Sequence, residues 1–361
     1  MTVPPKNILL LKGHSAGVGD LLRSSAAWRA LHDRFPGVQL HLAFLTQEPG
    51  YSSEELIGRH HLLHSFHVRP KWPDTLAEWR AATRWFLDLA RKTKADLVID
   101  FETNGIRTSL LTWLARRRLG LQTLGVAEVI GRGLFYLRTA PSRAAYARKQ
   151  EQILPLNYAE RDFVALAGLG IAREGRAIEV RETPVAVDFR EQLGPRFSLP
   201  VGVPIVGLNL GCGTPGALER RPDLPLARAL LGWLQQTQSC AVVLSGAPFE
   251  RAVNEELLQG YTPPPGLPVI NTAGHTRLLE LPGLIRACSL FVSGDSGPYH
   301  VAVGLGIPTL AIFNFKHPEA EHDHPWVRCV VAPNRAALPR LEAAVRALRT
   351  AFPWPEVVTL S

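Results

Sequence analysis

The residues best placed to do chemistry lie in one stretch, Ser289 to Phe313 (SLFVSGDSGPYHVAVGLGIPTLAIF). Leu290, Phe291 and Val292 form a short apolar run with strand character, which Ser293-Gly294-Asp295-Ser296-Gly297 interrupts with small, turn-forming residues. Pro298 suits the first turn of a helix, where its missing N–H has no partner to lose. His300 to Val303 reads as a short helix that Gly304 or Gly306 can end, and Thr309 to Phe313 as the next strand. In open α/β sheets, ligands sit beyond the carboxyl ends of the strands, beside helix N-termini. Glycines there let the backbone approach, and the N–H groups with the helix dipole favour phosphate. Asp295 would repel a phosphate. A diphosphate sugar reconciles the two, with phosphate on the N–H groups and sugar hydroxyls on the carboxylate. The other reading is a turn in which Asp295 caps the helix.

The string Gly294-Asp295-Ser296-Gly297-x-x-His300-x-Ala302-x-x-x-Gly306-x-Pro308, followed by an apolar strand, resembles the nucleotide-sugar motif of glycosyltransferase family nine. These are the heptosyltransferases of the lipopolysaccharide inner core and their relatives. The resemblance implies an α/β protein with the GT-B fold, two Rossmann-like domains facing across a cleft. It implies that Asp295 binds the donor sugar, that Ser296 and Gly297 touch its phosphates, and that His300 stands on the donor side. The likeness recurs along the chain. Ala16-Gly17-Val18-Gly19-Asp20-Leu21-Leu22, then Ala30-Leu31 and Arg34-Phe35-Pro36, is similar to the family's first strand-loop-helix. Gly19 and Asp20 there are acceptor-side, and the resemblance gives Asp20 the part of general base; capping the helix Leu21 to Phe35 is its plainer role. Asp96 to Phe101 resembles a central strand of the first domain, and Glu102 and Asn104 lie on its exit loop, also acceptor-side. Gly246-Ala247-Pro248 with Glu250 is similar to a loop whose acid accepts from ribose hydroxyls; otherwise Glu250 is a charge in a helix first turn. Gly211 and Gly213 belong to the second domain's first glycine loop, on the donor side. One departure stands out. Where the family has Lys-x-Trp-Pro, this chain has Glu219-Arg220-Arg221-Pro222. Arg220 or Arg221 could supply the missing cation, since arginine binds phosphate well. Asn314 stands where the family often has glycine.

These residues need two scaffolds, and 361 residues suffice for two domains. Asn7 to Lys12, the glycine loop Gly13 to Asp20, the helix Leu21 to Phe35 and the strand Val38 to Leu45 make a Rossmann-like opening. Its glycines do not spell a dinucleotide fingerprint with an acid after the second strand. Leu76 to Lys92 is an amphipathic helix, Arg107 to Leu119 another, and Glu151 to Leu169 a third. Glu182 to Pro204 reads as a linker, and Ile205 to Leu210 opens the second Rossmann-like half. Arg335 to Phe352 is a terminal amphipathic helix. The expected division is 1–185 for the acceptor domain, 186–335 for the donor domain and 336–361 for a helix packing back towards the first.

Net charge is +8, which suits nucleic acid, an anionic membrane surface or a phosphorylated substrate. No aromatic-basic RNA motif, zinc-finger spacing or long lysine tract is present, so nucleic acid is not an expected partner. Arg116-Arg117-Arg118, Arg132, Arg138, Arg143, Arg148 and Lys149 singly read as solvated surface. As a group they could face an anionic acceptor and lipid head groups. The four cysteines form no CxxC pair, and Cys240 and Cys288 sit beside apolar runs as buried thiols. The apolar run Ile8 to Leu11 is too short for a signal peptide. The expected location is therefore the cytoplasm, with peripheral contact at the inner face of the membrane compatible with the charge. His60, His64 and His67 share helical spacing, and His317-Pro318-Glu319-Ala320-Glu321-His322-Asp323-His324 resembles a metal cluster at first sight. Neither is read as a metal site; hydroxyl or phosphate contacts, or solvation, account for the second. No cofactor is expected beyond the donor.

The expectation is an inverting glycosyltransferase. It moves a sugar, heptose by the resemblance, from a nucleotide-diphosphate sugar such as ADP-heptose to a phosphorylated glycolipid or related glycan. The alternatives are another GT-B enzyme such as a nucleotide-sugar epimerase, or a nucleotide-sugar-binding protein without catalysis.

Overall fold

The computed structural model describes residues 3–13, 17–46, 53–70, 75–211 and 220–354. The chain divides into two compact units, Met1–Ile178 and Glu179–Ser361. The first holds strands β1 (Asn7–Gly13), β2 (Gln39–Thr46), β3 (Ser65–Pro70), β4 (Leu97–Asp100), β5 (Gln122–Val126) and β6 (Arg138–Ala140). All neighbours run parallel, in the order β3-β2-β1-β4-β5-β6. The second holds β7 (Ile205–Asn209), β8 (Ala241–Ser245), β9 (Val269–Asn271), β10 (Leu290–Gly294), β11 (Thr309–Phe313) and β12 (Val327–Val331). These are also parallel, in the order β12-β11-β10-β7-β8-β9. Both orders are the doubly wound nucleotide-binding arrangement, and strand order reverses between β1 and β4 and between β7 and β10.

The apolar runs dictate this. Ile8 to Leu11 are wholly buried, as a central parallel strand covered by helices on both faces must be. Val206, Leu208, Val242, Leu244, Leu290, Val292, Leu310 and Ile312 form the core of the second unit with the helix Leu224–Gln238.

Several expectations need correcting. The helix Leu21 to Phe35 is two helices, Val18–Leu22 and Ser25–Arg34, separated at Arg23-Ser24. The helix Glu151 to Leu169 is confined to short turns between Tyr158 and Leu169, because Pro155 cannot extend a helix from 151. The linker Glu182 to Pro204 contains the helix Pro184–Phe197, started by the Thr183 hydroxyl accepting from Ala186 N. Its prolines misled: Pro184 opens the helix, and Ala186, Phe189 and Leu193 bury one face. The terminal helix, Leu338–Ala351, belongs to the second unit. Leu341, Val345 and Leu348 join the second unit's core beside Leu226, Leu230 and Leu234. The His60 to His67 spacing is not helical either, since the helix Ser53–Ile57 ends before it and His67 lies in β3.

Candidate functional site

The expected site residues fall at the two places where strand order reverses. In the second unit, β10 delivers Gly294, Asp295 and Ser296 to the carboxyl end of the sheet beside Asn209 and Gly211 from β7. Ser296 is the N-cap residue of the helix Gly297–Leu305, but its hydroxyl does not cap. It donates to Asn209 Oδ1 at 3.3 Å and lies 3.0 Å from Ser293 Oγ. The Asn209 carboxamide in turn donates to Ser245 Oγ at 3.2 Å, so three strand ends are tied together. The first-turn N–H groups point out of the N-terminal end of the helix, as backbone geometry requires.

Asp295 is 7% exposed. It caps no helix; its Oδ2 faces His317 Nδ1 at 3.3 Å and Arg220 Nη1 at 3.9 Å. The Arg220 side chain is about half exposed, and the Arg221 side chain is partly buried. The segment carrying both lies against the end of β10, where a Cβ at Gly294 would be 3.0 Å from Arg220 O and 3.2 Å from Pro222 Cδ. Asn314 fixes the same segment by donating to Arg221 O at 2.6 Å. The residue in the family's glycine position therefore positions the candidate cations, a part that sequence reading missed.

Glu250 is nearly fully buried in the turn Pro248–Glu250, and its Oε2 accepts from Ala247 N at 2.7 Å. Gly211 lies against it, because a Cβ there would overlap the carboxylate. Gly213 lies outside the described residues, as do Cys212 and Glu219. His300 points into the fold: it is 2% exposed and its Nδ1 meets His322 Nε2 at 2.9 Å. The solvation expected for the loop after β11 is wrong for His322 and His324. Both are buried, the first bonded to His300 and the second stacked on Trp326. Tyr299 adds to this internal layer, its hydroxyl accepting from His322 N at 2.9 Å and meeting Cys329 Sγ at 3.3 Å. The layer holds the loop that brings His317 to Asp295. Cys240 and Cys288 are buried, and burial pushes both thiols up to about 12.

In the first unit, Asp20 lies in the first turn of Val18–Leu22, a turn in from the N-cap Gly17, so it does not cap. Its carboxylate is one-third exposed and accepts from Arg23 Nη1 at 3.1 Å. The Arg23 guanidinium also lies over the Tyr158 ring at 4.4 Å. Gly19 is buried in the same turn. Across the reversal point, Glu102 Oε1 accepts from Gly13 N at 3.1 Å, which ties the exit loop of β4 to the end of β1. Asn104 on that loop is exposed.

Arg132 departs from the expected basic surface. It is 4% exposed. Its Nη2 pairs with Asp100 Oδ2 at 3.3 Å, its Nε donates to Ser109 Oγ at 2.8 Å, and its guanidinium donates to the carbonyls of Glu102, Thr103 and Gly105. Tyr136 OH donates to the same Asp100 oxygen at 2.7 Å. Burial pushes the Asp100 carboxyl up to about 6, with Arg132 and Tyr136 opposing. Arg143 is also partnered, donating to Glu128 through Nε at 3.0 Å. A run of arginines carries no sign of which one turns inward; the acid ending β4 was the available signal.

Comparison with known proteins bears out the resemblance and the fold. The model of glycosyltransferase family 9 (heptosyltransferase) matches residues 228–337. Lipooligosaccharide heptosyltransferase 2 of Haemophilus influenzae is 32% identical over 116 residues, 32% of this chain and 33% of that protein. The chain thus matches about a third of the length of this relative. A glycosyl transferase family 9 structure from Veillonella parvula superposes with TM-score 0.70 at 16% identity, covering 98% of both chains. The structure of E. coli ADP-heptose lps heptosyltransferase II gives TM-score 0.65 at 19% identity, covering 96% of this chain and 99% of that one. At such identities the structures show a shared GT-B fold.

Proposed function

We propose that this chain, whose residues 228–337 carry the family 9 match, is an inverting glycosyltransferase that uses a nucleotide-diphosphate sugar. The observation that carries the proposal is the convergence at the β7–β10 reversal of a buried acid, Asp295, with a helix N-terminus and the segment that carries Arg220 and Arg221. The region matched by the family spans Glu250 and Asp295. Asp295 takes donor-sugar hydroxyls, with His317 holding the carboxylate. The N–H groups after Ser296, with Arg220 or Arg221, take the diphosphate, where preorganised donors stabilise the departing charge. Glu250 takes ribose hydroxyls beside Gly211. ADP-heptose is the favoured donor, supported by the likeness to the E. coli ADP-heptose lps heptosyltransferase II.

In the reaction an acceptor hydroxyl attacks the anomeric carbon, the bond to the diphosphate breaks, and Asp20 removes the hydroxyl proton. Arg23, 3.1 Å from its carboxylate, keeps Asp20 aimed. Glu102 and Asn104 line the acceptor side, and a phosphorylated lipopolysaccharide-core glycan is the favoured acceptor. No described helix is long and apolar enough to cross a membrane.

A thermal-shift panel of ADP-, GDP- and UDP-sugars tests the donor reading. A ligand at a hundredfold excess over its Kd stabilises the native state by about 2.7 kcal/mol. ADP-sugars should raise the melting temperature most. No response to any of the three would overturn the proposal.

A further inference from the structure

The segment Val129 to Leu137 is turned inside out. Its polar side chains, Arg132 and Tyr136, are each 4% exposed, while Ile130 is fully exposed and Leu134 is 80% exposed. Val129 and Leu137 are also exposed. Burial of apolar area would favour the reverse arrangement. The turn has no freedom to reverse it, because Arg132 is locked to Asp100 and to the carbonyls of Glu102, Thr103 and Gly105. Backbone bonds Arg132 N to Val129 O and Leu134 N to Gly131 O close the turn on itself.

A second apolar tip lies beside it. Glu128 accepts from Arg143 N and Nε, tying the turn to the helix Arg143–Lys149. Leu154 and Pro155, beyond that helix, line the same surface hollow as Glu128 and Arg143. Ile153 is 87% exposed there. Cations frame both tips. Arg116 donates to the carbonyls of Leu134 and Tyr136, Arg117 and Arg118 are exposed on the same helix end, and Arg148 and Lys149 are exposed just before Ile153. Glu151 is the exposed acid among them.

We infer that these two tips are a membrane-docking surface, which dips aliphatic side chains into a bilayer while the surrounding cations meet anionic lipid head groups. Protein interface cores favour aromatic residues and methionine. Aliphatic tips in a cationic frame match instead the chemistry of an interfacial anchor. The inference rests on the lipid-linked acceptor proposed above, and it adds a physical link. The arginine that holds the apolar turn also holds the carbonyls of the Glu102 to Gly105 loop, so the docked surface and the acceptor side share one buried side chain.

Co-sedimentation of the full chain with vesicles tests this, comparing phosphatidylethanolamine–phosphatidylglycerol vesicles with pure phosphatidylcholine. The chain should bind the anionic vesicles, more weakly at high salt. Ile130→Ser with Leu134→Ser should lower partitioning roughly tenfold or more, because both aliphatic side chains leave the apolar phase. Its melting temperature and its response to sugar nucleotides should not change. Arg148→Glu with Lys149→Glu should remove most of the preference for anionic lipid. The inference is overturned if the double serine variant binds like the parent or if the parent binds neither vesicle. It is also overturned if the parent forms a concentration-dependent dimer that the serine variant abolishes while vesicle binding is absent. Sugar-nucleotide response is read separately, so a failed donor reading and a failed membrane surface give different results.

Discussion

The Ser296 hydroxyl donates to Asn209 Oδ1 at 3.3 Å, and this bond joins the carboxyl ends of β10 and β7 where strand order reverses. A serine at an N-cap ordinarily serves its own helix. Here it is engaged sideways, which fixes the loop that carries Asp295 and leaves the helix end to a ligand. Asn209→Ala removes the acceptor of Ser296 and the donor to Ser245. Leaving buried polar groups unmatched costs about 1–3 kcal/mol. The variant should melt at lower temperature and bind sugar nucleotide several-fold more weakly in titration calorimetry; parent-like values in both would show that the bond is incidental.

Asp295→Ala should weaken the sugar nucleotide far more than the free nucleoside diphosphate, because the carboxylate is assigned to sugar hydroxyls. Asp295→Asn should fall between, keeping part of the hydrogen bonding. Titration of each variant with both ligands decides the matter. Equal losses would reduce Asp295 to a partner of His317 and Arg220.

Gly211 and Glu250 should behave as a coupled pair. Gly211→Ala forces the Glu250 carboxylate to move, since the new methyl would occupy its place. The single substitution should lower both melting temperature and donor affinity. In the Glu250→Ala background the same substitution should cost much less stability, a coupling of about 0.5–3 kcal/mol as contacting residues show. Additive effects on melting would mean that Gly211 does not pack against Glu250 in solution.

Asp100 gives the first unit a pH signature. Burial raises its carboxyl from 3.8 to about 6, so the folded chain holds this proton more tightly than the unfolded chain. The stability linked to the group is then fully present below its ordinary value and is lost as pH rises to about 6. Asp100→Asn cannot titrate. In thermal melts, the stability of the parent relative to this variant should fall across that window and level off above it. A difference that rises with pH would mean that Arg132 outweighs burial and holds the carboxyl below its usual range.

How legible was this in the sequence? Short buried runs such as Leu97 to Asp100 and Leu290 to Gly294 announce central parallel strands, and their glycine-rich exits announce the site. The amphipathic helix Leu76–Lys92 matched its expected bounds, opened by a Thr75–Glu78 capping box. Two strands on one side of the first sheet were not legible. Gln122–Val126 and Arg138–Ala140 are short, without alternation or a long apolar run, and pair only because the sheet presents an edge. Arg132 and His322 were misassigned for one reason. Charge and polarity are local properties, whereas whether a side chain turns inward depends on a distant partner, Asp100 in one case and His300 in the other.

The most direct test of the central claim is nucleoside diphosphate release from the donor sugar nucleotide, measured with and without a phosphorylated glycan acceptor, for the parent and Asp20→Asn. Asparagine keeps the shape of the side chain and removes its basicity. Release by the parent should require acceptor. In Asp20→Asn the rate should fall by about 10²–10⁴-fold, the range for a positioned general base, with donor affinity unchanged. Release that proceeds equally without acceptor, or an Asp20→Asn variant that retains the parent's rate, would contradict the account.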